Sequence, residues 1–187
     1  MVVWLILLFA STLGACDADQ SRLLRQSEQA FDQDVNGGWR ELGNRGCYSV
    51  AADLIHLYRQ KHRSTHPVDL IWHEAQMRAN AEQTEQALEL FRKSYRRSDP
   101  GWNIYVDGTV AFLEKDRGKL MASRDALVKL PKPKHQTTFE AMGHVYPVPW
   151  PPNLNVLEGL LKCFDKTYRD AYNSCVEPIF KVEVPET

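Results

Sequence analysis

The sequence has no excess of charge of either sign. It contains 23 Lys and Arg residues against 24 Asp and Glu residues, and its formal net charge at pH 7 is −1. Proteins that bind nucleic acid usually carry a basic face. The balance therefore gives no indication of nucleic-acid binding, and the Lys and Arg residues, which are spread through helix-like segments, are interpreted as solvated.

Motifs that would identify a common enzyme class are also missing. The sequence contains no GxSxG, no glycine-rich phosphate loop and no CxxC, which would indicate a hydrolase, a nucleotide site or a redox centre. Its nearest approach to a catalytic motif is His73-Glu74-Ala75-Gln76-Met77. Zinc proteases need a histidine at the last position of this motif, and the thioether of Met77 does not replace it. We therefore predict that the protein is not an enzyme and uses no cofactor.

Four histidines support the alternative function, an envelope enzyme or a metal-binding protein. They are His56, His62, His66 and His73. A zinc site needs at least three protein ligands to converge, and Pro67 separates two predicted helices within this stretch. We interpret the histidines as surface residues and expect no metal site.

Strand-like alternation of polar and apolar residues is limited to the tail, around Phe180–Val184. Elsewhere apolar residues recur at spacings of three and four, which is typical of amphipathic helices. The predicted helices cover residues 48–61, 66–80, 82–97, 102–114, 117–130 and 155–175. The sequence therefore predicts an all-α fold.

Long apolar runs are scarce, and the clearest one lies at the N-terminus. Residues 1–10 are apolar but too few to cross a membrane as a permanent helix, and small residues and a cysteine follow them. This layout is typical of a secretory signal peptide. The alternative is a core helix, which would have to be buried on all sides because it has no charged face. We predict a signal peptide over residues 1–15 and export of the mature chain.

The end of this segment, Leu13-Gly14-Ala15-Cys16, resembles the lipobox of bacterial lipoproteins. In that family the cysteine becomes the first mature residue and is acylated on its sulfur and amine. The resemblance implies a lipid anchor on Cys16 and a periplasmic location. Asp17 follows directly, and an acidic residue there resembles the signal for retention in the inner membrane, with the outer membrane as the alternative. Cleavage without lipidation is the other outcome.

The remaining cysteines limit the possible disulfides. If Cys16 is lipidated, Cys47, Cys163 and Cys175 remain, and an oxidising compartment favours one disulfide and one free thiol. If residues 155–175 form one helix, Cys163 and Cys175 lie about 18 Å apart. A disulfide requires Cα atoms roughly 4.4–6.8 Å apart. We predict that Cys47 pairs with Cys175, with Cys163 as second choice, unless that helix breaks.

An internal repeat appears when the chain is shifted by 33 residues. The shift aligns Ile71 with Ile104, Ala75 with Gly108, Ala87 with Leu120 and Ser94 with Leu127. The pattern formed by Ala75, Ala87, Phe91 and Pro100 resembles the tetratricopeptide repeat. In that family a small residue on the first helix meets an alanine and an aromatic residue on the second. The resemblance implies stacked antiparallel helical hairpins, and the alternative is an irregular helical bundle.

Residues 131–152 differ in composition from the rest of the chain. This segment holds six prolines, and apolar residues lie between them. We predict an ordered loop packed on the helices. Aromatic side chains in excess of what a small core buries are candidates for a protein-binding surface. The candidates are Tyr146, Trp150, Trp102 and Tyr105. The alternative is that they cover the core, and for Trp102 we favour this alternative.

These inferences divide the chain into four parts. They are a signal peptide (1–15), a lipidated tether with a first helix (16–38), a helical-repeat-like domain (39–178, with the proline-rich loop 131–152 and a C-terminal capping helix), and a tail (179–187). The expected function is that of a non-catalytic, membrane-tethered periplasmic lipoprotein that binds a protein partner. It would act as an adaptor or as an immunity protein that neutralises a toxin.

Overall fold

The computed structural model of the protein describes Gly14 and residues 16–135, 138–141 and 144–178. The signal peptide and the tail beyond residue 178 lie outside these ranges. Helices dominate the described residues, and the all-α fold class is confirmed. None of the described helices is long and apolar enough to cross a membrane. The α-helices are α1 (Gln20–Leu23), α2 (Arg40–Gly43), α3 (Tyr48–Lys61), α4 (Pro67–Asn80), α5 (Thr84–Lys93), α6 (Pro100–Leu113), α7 (Arg117–Val128), α8 (Leu154–Lys162) and α9 (Tyr168–Cys175), with a π-helical turn at Gln29–Gln33.

Two helical hairpins repeat with the same offset as the sequence. Helices α4 and α6 both have 14 residues and begin 33 positions apart, each with a proline in its first turn. Their partners α5 and α7 also begin 33 positions apart. The connecting turns use Glu82 and Lys115, which both have a positive φ, 61° and 58°. Because each connection is only three residues long, the two helices it joins pack against each other.

The proline-rich segment contains a short antiparallel hairpin that the sequence analysis did not predict. Strand β1 (Thr138–Ala141) pairs with β2 (His144–Pro147), and Thr138 lies opposite Pro147. The strands contain β-branched and aromatic residues, which favour extended backbone. With only four residues each, they are too short to produce a clear alternating pattern.

Residues 16–38 were predicted as a tether with a first helix; the helix is present as α1, but the segment packs on the fold and is not a free tether. Leu23 and Phe31 are fully buried, and the Phe31 ring stacks on Tyr58 of α3 with 3.8 Å between centroids. This segment forms a second apolar cluster with α2, α3 and two residues of α4, Leu70 and Met77, beside the larger cluster on α4 to α9. The segment contains few apolar residues, but these are enough to hold it on the fold because α3 provides the apolar surface on which they pack.

The last predicted helix is broken into α8 and α9. The Thr167 side chain caps α9 by accepting a hydrogen bond from the Asp170 amide at 3.1 Å. Helices α8 and α9 pack closely because Gly159 has no side chain, and a Cβ there would lie 2.7 Å from the Cα of Val176. The break brings Cys163 and Cys175 together in a disulfide, with their Cα atoms 6.3 Å apart. The predicted Cys47–Cys175 disulfide is therefore wrong.

The second disulfide joins Cys16 to Cys47, with 5.4 Å between their Cα atoms. Lipidation of Cys16 and this disulfide exclude each other, because both use the same sulfur atom. The structure has the disulfide, so the lipidated state predicted for Cys16 is not the state that it describes. Cys47 lies at the start of α3, and the bond thereby holds the N-terminal segment on the second apolar cluster.

We expect peptide mapping of the oxidised protein to find Cys16–Cys47 and Cys163–Cys175 only. The first bond spans 31 residues, and removing it with Cys47→Ser should lower the free energy of unfolding by about 3 kcal/mol, since the unfolded chain is no longer constrained. Urea unfolding of the variant and of wild type measures the difference. An intact mass that shows lipid on Cys16 of the native protein would contradict this pairing.

Candidate functional site

Tyr105, predicted to bind a partner, belongs to the core. Its side chain is 2% exposed, and its ring packs against Trp72 and Trp102. Burial raises the pKa of Tyr105 well above the usual value, and the neighbouring Tyr172 and Tyr168 raise it further. The prediction for Tyr105 is wrong because α6 is buried on nearly every side between α5, α7 and α8.

Trp102 also serves the core, as the alternative interpretation held. It is half-buried, and its ring meets the edge of Trp72 with 4.7 Å between centroids. Its indole N–H donates to the Ser94 carbonyl at 2.7 Å, and the Arg96 guanidinium lies 3.9 Å from the ring centroid. These contacts occupy both the polar and the apolar parts of the side chain, so the assignment of Trp102 to a binding surface is not supported.

Trp150 is the predicted aromatic that reaches solvent. It is 37% exposed, and its indole N–H donates to the carbonyl of Leu130, just beyond α7, at 3.2 Å. Two further exposed apolar side chains, Met121 and Val128, lie on α7 itself. Tyr146 belongs to β2, and its side chain lies outside the described parts of the structure. The surface formed by Met121, Val128 and Trp150 is called the α7 surface below.

The four histidines face different partners. The pairs are His56 with Glu74 (3.3 Å), His62 with the Leu24 carbonyl (2.8 Å), His66 with Glu28 (3.2 Å) and His73 with Asp32 (2.7 Å). In the described parts of the chain, no group of three or more His, Cys, Asp or Glu residues is placed to hold a metal ion. His73 and Glu74, the first two residues of the zinc-protease-like motif, also have different partners. His73 contacts Asp32, whereas the buried carboxylate of Glu74 forms an ion pair with Arg59 of α3.

A cleft of about 530 Å³ lies where α2, α4 and α9 meet. Its floor is formed by buried residues, its walls by half-buried ones, and its rim by exposed ones. The floor is Trp39, Met77, Asn80 and Tyr168; the walls are Arg40, Gly43, Tyr48, His73, Gln76 and Tyr172; the rim is Val35, Asn44 and Asn173.

Sequence analysis missed this cleft, although one signal was present. His73, Gln76, Met77 and Asn80 recur at spacings of three and four, and such residues share one face of a helix. The other walls come from segments far away in the chain, so no local pattern could have joined them to α4.

The buried carboxylate of Asp32 orients two of the residues that line the cleft, Trp39 and His73, by hydrogen bonding. This carboxylate is 1% exposed, and its Oδ1 accepts hydrogen bonds from Trp39 Nε1 at 2.9 Å and His73 Nδ1 at 2.7 Å. Its Oδ2 accepts from Gln33 at 2.6 Å, and its main-chain carbonyl accepts from Arg40. Because Nδ1 is the donor to Asp32, the other ring nitrogen of His73, Nε2, is the one left for a ligand.

The charge of Asp32 follows from these contacts. Burial alone would raise the pKa of this carboxyl. The hydrogen bond and positive charge of His73, the Trp39 hydrogen bond and the Arg40 guanidinium outweigh burial, and the pKa of Asp32 lies below its usual value. Asp32 is therefore ionised at neutral pH, and this charge orients the imidazole of His73.

Two residues that line the cleft each hold a polar atom that is closed off from solvent and lacks a hydrogen-bond partner among the described residues: the side-chain carbonyl of Asn80 and the hydroxyl of Tyr168. Asn80 is 7% exposed, and its amide N–H donates to the Gln76 main-chain carbonyl at 2.9 Å. Tyr168 is 4% exposed, and burial and the nearby Tyr172 raise its pKa well above the usual value. The Gln76 side chain is near enough to oppose that rise, yet its position does not meet hydrogen-bond geometry with the Tyr168 hydroxyl.

Comparison with known proteins gives no relative at a significant level: no family model, no curated protein and no solved structure matches the chain.

Proposed function

We propose that the protein is an exported, non-catalytic binding protein that takes a protein partner on the α7 surface. The observation that carries the proposal is Trp150, an aromatic side chain that is exposed and yet held in place by its bond to Leu130. Aromatic residues that are ordered before binding lose little entropy in an interface, and tryptophan is common among the residues that dominate binding energy.

The apolar neighbours of Trp150 support this surface. Met121 and Val128 are seven positions apart on α7, about two helical turns, so they lie on the same face of the helix. The Trp150 anchor point, Leu130, is two residues beyond Val128. Exposed apolar side chains on one face of a helix whose C-terminal end holds an exposed tryptophan are a feature of protein-binding sites.

The disulfides support an oxidising location. All four cysteines are paired in two disulfides, and such bonds persist mainly in secreted and periplasmic proteins. This agrees with the signal peptide predicted over residues 1–15. The proposal places the protein in the periplasm without a lipid on Cys16, since its sulfur is bonded to Cys47. A partner that is an envelope component identifies an adaptor, and a partner whose toxicity the protein suppresses identifies an immunity protein.

The test is the Trp150→Ala variant with a partner that has been isolated from envelope extract and purified. We expect loss of about 2 kcal/mol of binding free energy, or about thirtyfold in Kd, because an ordered aromatic anchor is removed. The melting temperature should change little, since Trp150 is 37% exposed. Calorimetric titration gives the affinity, and circular dichroism gives the melting curve.

The matched control is Tyr95→Ala, which removes an exposed aromatic side chain that is not part of the α7 surface and whose hydroxyl donates to Asp107 of α6. It should leave the affinity unchanged. A Trp150→Ala protein that melts at a much lower temperature, but binds normally while folded, would show that Trp150 covers the core and would refute the α7 surface.

A further inference from the structure

The helix that carries Met121 and Val128 begins a strongly basic part of the chain. Residues 117–135 hold six of the 23 Lys and Arg residues but only one of the 24 Asp and Glu residues. A chain whose formal net charge is −1 therefore has a local excess of positive charge along its exposed apolar side chains. The six cations are Arg117, Lys119, Arg124, Lys129, Lys132 and Lys134.

The three cations within α7 already have contacts inside the fold. Lys119 and Arg124 form ion pairs with neighbouring aspartates, at 3.0 and 2.9 Å. The guanidinium of Arg117 lies 5.4 Å from the ring centroid of Phe164. These contacts account for the three side chains without a binding partner.

The three lysines that follow α7 differ from them. Each is exposed, and none has a side-chain ion pair or hydrogen bond with another described residue. Lys129 lies at the C-terminal end of the helix, where the helix dipole favours a cation. Lys132 and Lys134 lie beyond the helix, so this explanation does not apply to them.

These lysines lie close to the residue that holds Trp150. The indole N–H of Trp150 donates to the Leu130 carbonyl at 3.2 Å. Lys129 and Lys132 are one and two residues from Leu130, so their Cα atoms lie within about 8 Å of the Leu130 Cα. An exposed aromatic side chain and two exposed ammonium groups therefore share one small area of the surface.

Prolines stiffen the segment that carries the lysines. Pro131 and Pro133 alternate with Lys132 and Lys134, and residues 131–133 are neither helix nor strand. Proline fixes its own φ and restricts the residue before it to extended conformations. The segment therefore loses little backbone entropy when it binds, which favours its use in an interface.

Basic residues beside a tryptophan also occur on proteins that bind anionic membranes. A helix that lies on a membrane needs a wide apolar face, but Arg124 lies between Met121 and Val128 on the exposed face of α7. The apolar side of α7, with Leu120 and Leu127, is buried in the core and is not available to lipid. These observations favour a protein over a membrane.

We propose that the partner presents an acidic segment, in which Asp and Glu side chains accompany at least one apolar residue. The carboxylates pair with Lys129, Lys132 and Lys134, and the apolar residue packs on Trp150. This inference rests on the proposed function, because it names the chemistry of the partner that binds the α7 surface. Complementary charges of this kind raise the association rate and exclude partners of the wrong charge.

The test uses the full chain with both disulfides intact and a short synthetic peptide of glutamates interrupted by two leucines. A matched peptide has glutamine in place of every glutamate. We expect the glutamate peptide to bind about tenfold more tightly at low salt, and added salt should remove the difference by screening exposed charges. Two-dimensional NMR titration measures both affinities and should show shifts in α7 and residues 129–135. Equal binding of the two peptides, or none by the glutamate peptide, would overturn the proposal.

A pair of triple variants tests the lysines. Removing the three lysines should weaken binding of the glutamate peptide about tenfold, since each exposed ion pair contributes little alone. The control removes three exposed cations elsewhere, which have no ion pair in the described parts of the chain, and should bind like wild type. Equal weakening in both would show that only total charge matters and would overturn the assignment. The variants are Lys129→Gln/Lys132→Gln/Lys134→Gln and Arg25→Gln/Lys61→Gln/Arg97→Gln.

Two further probes distinguish an acidic protein from other anionic partners. Co-sedimentation with phosphatidylglycerol vesicles detects a membrane surface, and fluorescence anisotropy with a labelled single-stranded DNA oligonucleotide detects nucleic acid. We expect both to bind more weakly than the glutamate peptide. Tighter binding of either one would overturn the assignment to an acidic protein segment.

The partner isolated from envelope extract separates this inference from the proposed function. If Trp150→Ala weakens binding of that partner and the triple lysine variant does not, the α7 surface is the binding site and the inference about acidic chemistry is wrong. If Trp150→Ala leaves the affinity for the partner unchanged, the proposed function itself is wrong. We expect both variants to weaken binding of the partner.

Discussion

Asp32→Ala is expected to lower the free energy of unfolding by about 3–5 kcal/mol, because it removes the ionised acceptor of two side-chain hydrogen bonds. The Trp39 indole N–H and the His73 imidazole both donate to this carboxylate. Without it, the buried indole N–H has no acceptor, and the imidazole loses the group that orients it. Urea unfolding followed by circular dichroism measures the change.

Two comparisons make the Asp32 result specific. Asp165→Ala removes an exposed aspartate and should change the stability by less than about 0.5 kcal/mol. Asp32→Asn keeps an acceptor for one of the two donors and should fall between Asp32→Ala and wild type. An Asp32→Ala protein as stable as wild type would mean that the carboxylate does not hold Trp39 and His73.

The same pair predicts a dependence on pH. The pKa of Asp32 is lowered in the folded protein, so its ionised form stabilises the fold. This stabilisation is complete above the usual aspartate pKa of about 3.9 and is lost as the pH falls through the lower folded value. The stability difference between wild type and Asp32→Ala should therefore shrink as the pH is lowered below about 4. A constant difference across this range would contradict the pairing.

Gly38→Ala should cost at least about 3 kcal/mol of stability, from backbone strain and overlap together. Gly38 has φ of +55°, and a Cβ there would overlap the main-chain carbonyl of Phe31 and lie 2.7 Å from its Cα. Backbone atoms cannot rotate away as a flexible side chain can, so the turn before Trp39 must move. Thermal and urea unfolding measure the loss.

Gly46→Ala is the matched control, since it separates the two contributions. Gly46 also has a positive φ, +77°, but nothing lies within 4 Å of the position that its Cβ would occupy. It should show the strain alone, about 1–2 kcal/mol. An equal loss of stability in the two variants would show that the Cβ added at position 38 does not clash with the main chain of Phe31. Because Gly38 precedes Trp39, Gly38→Ala should also disturb the cleft floor.

Helix positions were predicted well where an element has a strong period and clear ends. The helix predicted over 66–80 is α4, Pro67–Asn80, and the helix predicted over 117–130 is α7, Arg117–Val128. Helix α6 begins at Pro100, two residues before the predicted start. The earlier start follows from Asp99, whose side chain caps the helix by accepting a hydrogen bond from the Trp102 amide at 2.9 Å.

Site residues were predicted poorly because exposure is not a local property. Tyr105 and Trp150 were both named as partner-binding aromatics, yet one is 2% exposed and the other 37%. Nothing beside Tyr105 in the sequence shows that α5, α7 and α8 surround it. His73, Gln76 and Met77 were considered only as an incomplete zinc motif, and the cleft was not predicted, since its residues come from three separate stretches of the chain.

By itself, the sequence determined the helical period of the backbone and the 33-residue offset of the two hairpins. These follow from neighbours three and four residues apart, which the chain order specifies directly. Only the tertiary structure decided which cysteines pair, that the segment 16–38 packs on α3, and that Asp32 lies under His73 of α4. The Cys16–Cys47 bond joins residues 31 positions apart in the sequence, and the Asp32–His73 bond joins residues 41 positions apart. Whether such residues meet depends on how whole helices pack against each other. The periodicity of side chains shows only which residues share a face of one helix.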